Sequence, residues 1–214
     1  MSIETFLNLS EDKKINIIKS GLMEFSSKNY QDGNTDVVIK SCGISKGSLY
    51  HYFGSKKGFY LYLLEHSISV ALDKEIGKPS DDMNFYDILF HSLSEKFRLY
   101  RSNPLDFLFI NTAAKEQCLE VFSENQRLLS DSMKKAQFNT YDTLQTAISR
   151  LSMKKNVDTS LLLRGLYMYV NAIITGYLKL YNDNPDAFFE DIETIKNETK
   201  VYIDMFLYGV TKEG

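Results

Sequence analysis

A chain of 214 residues, 43% of them apolar, is long enough for one large or two small globular domains and too apolar to be a disordered polymer. Its net charge of −3 is unevenly spread: residues 1–60 hold eight Lys against six Asp/Glu, and the remainder is net acidic, so only the first 60 residues carry the net positive charge that a partner bearing phosphates would need. Glu4, Glu11 and Asp12 near the start argue against a secretory leader, and Arg164, Asn171 and Lys179 interrupt the longest apolar window, Leu161 to Tyr181, arguing against a membrane span.

Cys42 and Cys118 stand in no metal or redox spacing and suit a reduced cytoplasm, so a soluble cytoplasmic protein is expected. His51, His66 and His91 form no ligand set, and the chain has no Gly-rich phosphate loop and no G-x-S-x-G elbow. No catalytic residue, metal or cofactor is expected.

Strand patterns are nearly absent and helical spacing is common, which predicts an all-α fold. Ile15, Ile18, Leu22 and Phe25 mark one face of a first helix opened by Ser10, with Glu11 and Asp12 at its positive end. Asn34 or Thr35 can cap a second helix that buries Val38, Ile39 and Cys42. Gly43 allows the left-handed turn that ends it, and Ile44 plugs that turn. Ser45 caps a third helix, about Lys46 to Phe53, with Leu49 and Phe53 turned inward. Lys46, Gly47, Ser48, Tyr50 and His51 are left facing outward. Gly54-Ser55 closes this helix, and Ser55 caps the next, which starts at Lys56 and Lys57.

Two helices joined by a glycine turn make a helix-turn-helix unit, in which the second helix presents its N-terminal residues to base edges in the major groove. Lys46 can donate to guanine or phosphate, and Ser48 to either kind of base edge. Gly47 permits close approach of the backbone, while Tyr50 offers a hydroxyl and a flat face. The helix N-termini at Thr35 and Lys56 offer free N–H groups to phosphate.

The block GISKGSLYHYFGSKKGF resembles the TetR/AcrR family pattern, and the match extends over about Lys14 to Leu64. The resemblance implies an N-terminal three-helix DNA-binding domain over residues 1–60 and a larger helical-bundle domain over 61–214 that binds an effector and dimerises. It implies DNA contacts from Thr35, Ser45, Lys46, Gly47, Ser48, Tyr50, His51 and Lys56. Asp36 departs from the family, which often has a basic or small polar residue there. The implied partners are double-stranded operator DNA, a second copy of the chain and a small-molecule effector, in the manner of a repressor.

Beyond the motif, helices are expected over about 55–76, 81–101, 104–118, 121–152, 158–182 and 185–211. Asn103-Pro104 and Asn184-Pro185 read as an N-cap followed by Pro at the first helical position, and Gly77-Lys78-Pro79-Ser80 as a break. Leu161 to Tyr181 is apolar on nearly every face, so it must be buried all round or lie at a subunit interface; Gly165, Ala172 and Gly176 would let a neighbouring helix approach. Phe90, Phe97, Tyr100, Phe107, Asn111, Phe138 and Tyr141 are candidates for an effector pocket, because such pockets are apolar with few polar groups. Gln117 also interrupts an apolar face. A core role for each aromatic residue is the alternative.

Overall fold

The computed structural model describes residues 3–72, 78–181 and 184–209. These residues form eleven helices and no strand: α1 (Ile3–Leu7), α2 (Glu11–Ser27), α3 (Thr35–Cys42), α4 (Lys46–Phe53), α5 (Lys56–Ala71), α6 (Phe85–Ser102), α7 (Pro104–Ala114), α8 (Leu119–Ile148), α9 (Thr159–Leu180), α10 (Pro185–Glu190) and α11 (Ile192–Tyr208). The all-α expectation therefore holds. No described helix is long and apolar enough to cross a membrane.

The chain divides into two compact units, Met1–Asp73 with Asn103–Lys135, and Lys74–Ser102 with Ala136–Gly214. In the first, α2 carries Ile17, Leu22 and Phe25 into a core shared with Phe6, Val38, Leu49, Phe59, Tyr60, Leu63, Leu64 and Phe109. Tyr60 lies edge-on to Phe25, Tyr30 and Phe109 at 5.3, 5.2 and 5.1 Å. Each such side chain contributes about 1.5–3 kcal/mol by burial, and edge-to-face rings add to it. Ile15, expected on the buried face of α2, is exposed instead. The face is centred on Ile17, Gly21 and Leu22, which leaves Ile15 at its border. A short helix, α1, which the sequence reading did not anticipate, seats Phe6 against Phe53 and Tyr62.

The second unit has two adjoining cores. Phe85, Ile88 and Leu89 of α6 pack with Leu144, Ala147 and Ile148 of α8, Leu166 of α9 and Ile203 of α11. Further along α6, Leu93 and Phe97 pack with Tyr177, Phe188 and Ile195. Tyr86 donates its hydroxyl to Asp204 and Tyr177 donates to Glu198 at 3.0 Å, tying α6 and α9 to α11.

Several boundaries differ from expectation for local reasons. The segment 81–101 becomes helical only at Phe85, because the Asn84 side chain accepts the Tyr86 and Asp87 N–H groups at 2.9 and 3.1 Å. The segment 104–118 stops at Ala114, where Glu116 turns its carboxylate onto the Gln117 and Cys118 amides. The stretch 185–211 is two helices, parted at Asp191. Pro104 and Pro185 do begin helices, yet neither Asn103 nor Asn184 caps with its side chain. Gly77, part of the expected break, lies outside the described residues; Lys78–Ser80 are not helical. Finally, α9 is not buried all round: Leu161, Met168 and Leu180 are exposed.

Candidate nucleic-acid interface

The helix-turn-helix is built by local caps and one inward plug. Of the two residues able to cap α3, Asn34 does so, accepting the Asp36 N–H at 2.8 Å. Gly43 ends α3 at φ 68°, a backbone that L side chains rarely adopt, and its N–H returns to the Ile39 carbonyl. Asn16 of α2 reaches the Cys42 carbonyl at 3.4 Å and holds the turn to the supporting helix. Ser45 accepts the Ser48 N–H at 3.0 Å and starts α4, while Leu49 is buried and Phe53 partly buried against the core. Ser55 repeats the device, accepting the Gly58 N–H at 2.9 Å. Gly58 is obligatory, since a Cβ there would stand 2.1 Å from the Phe53 carbonyl oxygen.

This scaffold leaves Ser45, Lys46, Gly47 and His51 exposed, with Ser48 and Tyr50 partly exposed beside them. Gly47 differs from Gly58: a Cβ there would meet only Ser45 Oγ, at an ordinary 3.7 Å. Among the described residues, nothing requires glycine at that position. Lys46 Nζ pairs with Asp36 Oδ1 at 3.0 Å, and the hydrogen bond and charge of Asp36 raise the pKa of the ammonium. The residue that departs from the family pattern thus holds the first cation of α4.

Thr35 is buried, and its hydroxyl lies 3.3 Å from that of Tyr50. Lys56 donates to the Gln31 carbonyl at 3.2 Å and sits 4.7 Å from the centroid of the Tyr30 ring. All eight residues singled out from the sequence therefore lie on or beside α3, α4 and the start of α5, with Thr35 the least accessible. The pairing of Asp36 with Lys46 was missed; their spacing of ten residues across a turn belongs to no single-helix pattern.

The residues singled out for an effector pocket are dispersed. Phe107 and Asn111 belong to the first unit, and Phe90, Phe97, Tyr100, Phe138 and Tyr141 to the second. Phe97 is a core residue, its ring 3.5 Å from that of Phe188. Tyr141 stacks on Tyr167 at 4.4 Å, and Phe90 lies 6.3 Å from Tyr86. Phe138, Asn111 and Gln117 are exposed, and Tyr100 and Phe107 partly buried.

Residues 17–63 match the family model described as bacterial regulatory proteins, tetR family. Over 138 residues, 57% of its length, the chain is 25% identical to an uncharacterised HTH-type transcriptional regulator, YerO of Bacillus subtilis; the match spans 46% of that relative. In fold it is similar to a TetR family transcriptional regulator from Chloroflexus aurantiacus (TM-score 0.59, 20% identity, 98% of each chain). It is also similar to the transcriptional regulator FadR from Bacillus subtilis, crystallised with stearoyl-CoA (TM-score 0.58, 13% identity, 92% of this chain and 99% of that one). The matched segment coincides with the supporting helix, the turn and the capped α4 described above, so residues 17–63 are similar to the tetR family of bacterial regulatory proteins.

Proposed function

We propose that this chain is a sequence-specific DNA-binding transcriptional regulator, a homodimeric repressor released from its operator by a small apolar effector. The observation that carries the DNA reading is Gly47. It is exposed, free of steric demand from the chain and flanked by Lys46 and Ser48 at the N-terminus of α4. A close approach to something outside the chain accounts for it, and the chemistry beside it is that of base edges and phosphates. Ser45, Lys46, Ser48, Tyr50 and His51 make the contacts, with the Thr35 and Lys56 helix starts on phosphates.

Dimerisation is supported by exposed apolar residues on neighbouring helices of the second unit. On α9, Leu161, Met168 and Ala172 fall on one helical stripe; on α11, Val201, Met205 and Tyr208 do the same. Two copies would read two half-sites about one helical turn, or a multiple, apart. Gly165 already receives Phe206, which comes to 3.1 Å from where its Cβ would stand, whereas Gly176 is open to a neighbour. An apolar effector bound within residues 61–214 fits the aromatic content there, and the FadR relative holds an acyl-CoA. A protein partner in place of that effector is a second reading, favoured by Met133 and Phe138, which α8 leaves exposed.

Selection of bound duplexes from a random DNA library tests the regulator reading. A two-fold-related consensus, bound with affinity that falls steeply with salt and with relaxed specificity in Lys46→Ala, supports it. Enrichment of no sequence overturns it.

A further inference from the structure

Two contacts join the start of α3 to α4. The Thr35 and Tyr50 hydroxyls lie 3.3 Å apart, and one residue further along α3 the Asp36 Oδ1 lies 3.0 Å from Lys46 Nζ. Thr35 is buried, whereas the Asp36 and Lys46 side chains are 64% and 62% exposed. The ion pair therefore stands next to Gly47, at the end of α4 where a missing side chain admits a close approach from outside.

A carboxylate in that place is a poor match for DNA in general. It repels phosphates and the acceptors that guanine and thymine present in the major groove, so it lowers binding wherever no donor faces it. An exposed ion pair adds too little stability to account for it. It becomes favourable opposite an amino group, and the groove offers two kinds, cytosine N4 and adenine N6.

The ammonium beside it distinguishes them. Lysine pairs well with guanine, whose O6 and N7 are neighbouring acceptors, whereas adenine and thymine present acceptor, donor and acceptor in alternation. Guanine O6 is itself hydrogen-bonded to cytosine N4, so the two atoms lie about 2.9 Å apart. A G·C pair thus sets a donor beside two acceptors, and the Asp36 acceptor and Lys46 donor stand 3.0 Å apart. One hydrogen bond between the side chains leaves the ammonium further hydrogens and the carboxylate further lone pairs for the bases.

We propose that Asp36 is a specificity-determining residue that reads one G·C pair in each half-site together with Lys46. Its carboxylate accepts from the cytosine N4 amino group while Lys46 donates to O6 and N7 of the paired guanine. The inference rests on the reading of α4 as a DNA-recognition helix and names the base pair read at its N-terminus.

Duplex selection with wild type, Asp36→Ala, Asp36→Asn and Lys46→Ala tests it. The wild-type consensus contains, in each half-site, a G·C pair preferred over A·T by about tenfold or more. That preference falls to within about threefold in Asp36→Ala and in Lys46→Ala. It persists in Asp36→Asn, whose carbonyl still accepts, even as overall affinity rises. Both side chains are exposed, so the variants keep the melting temperature of wild type. A second measurement alters the DNA instead: N4-methylcytosine keeps the base pair but replaces the groove-facing hydrogen. Wild type then loses about tenfold, and Asp36→Ala less than about threefold. A consensus with no G·C position sensitive to Asp36→Ala overturns the proposal and leaves the regulator reading standing. So does a sensitive position that is A·T, or an effect of N4-methylcytosine that is equal in wild type and Asp36→Ala. Enrichment of no sequence overturns the regulator reading and this assignment together.

Discussion

The Glu116 carboxylate accepts the main-chain N–H of Tyr30 at 2.5 Å, joining residues 86 apart in sequence. The same side chain takes the Gln117 and Cys118 amides at 2.9 and 2.8 Å, and Glu120 holds the Tyr30 hydroxyl at 2.6 Å. The corner between α7 and α8 thereby fixes the loop that leads into α3. Removing the acceptor leaves amides without partners, the Tyr30 amide among them in buried surroundings. Glu116→Ala is expected to cost about 3 kcal/mol, and Glu116→Gln less, because its carbonyl still accepts. Urea denaturation measures both; a loss for Glu116→Ala within the scatter of surface substitutions would show the clamp to be idle.

Asp36 and Lys46 are both largely exposed, so their ion pair adds little to stability. Its consequence lies in DNA binding, since a carboxylate beside Lys46 competes with phosphate or base for that ammonium. Asp36→Asn is expected to tighten binding to the selected duplex several-fold and to steepen its salt dependence by about one counterion. Melting temperature should hardly move. An unchanged salt slope would place Lys46 away from the DNA.

Gly58→Ala forces a methyl group against the Phe53 carbonyl, which belongs to rigid backbone. A loss of about 3 kcal/mol or more is expected, with the end of α4 displaced and DNA binding lost with it. Gly47→Ala is the contrasting substitution. It leaves the melting temperature intact, yet weakens DNA binding where the backbone of α4 approaches closely. Comparable melting of the two variants would contradict the packing described for α4 and α5.

Met168→Glu combined with Met205→Glu places charge on the exposed stripes of α9 and α11. Sedimentation should show the double variant as a monomer and the wild type as a dimer, with half-site binding only in the variant. A wild-type monomer at micromolar concentration would remove these stripes from the dimer reading.

Burial lowers the pKa of Lys96 in the folded chain below the value it regains on unfolding. Folding therefore favours the neutral amine. The destabilisation is fully present while both states are protonated, and it fades as pH rises through the lowered value toward the ordinary lysine value of 10.5. Lys96→Met is expected to be more stable than wild type at neutral pH, the difference shrinking toward alkaline pH. Denaturation midpoints followed from neutral to alkaline pH would show this convergence; parallel curves would argue that the ammonium reaches water.

What the sequence determined was local. The caps at Ser45 and Ser55, the left-handed turn at Gly43 and the inward Leu49 each depend on residues within a few positions, so α3, α4 and the start of α5 were legible, and with them the family resemblance. Boundaries set by a side chain turning back on the backbone, as at Asn84 and Glu116, were not, because the same residue types also occur inside helices. The tertiary structure alone decided which groups of distant segments meet. It set Glu116 on Tyr30 and Asp36 on Lys46, and it divided the aromatic residues of the middle of the chain into core, as with Phe97, and surface, as with Phe138. It also left Lys96 without an ion-pair partner among the described residues. Its place on the apolar face of α6 follows from the helical period, but whether a carboxylate waits there depends on every other helix that packs around it.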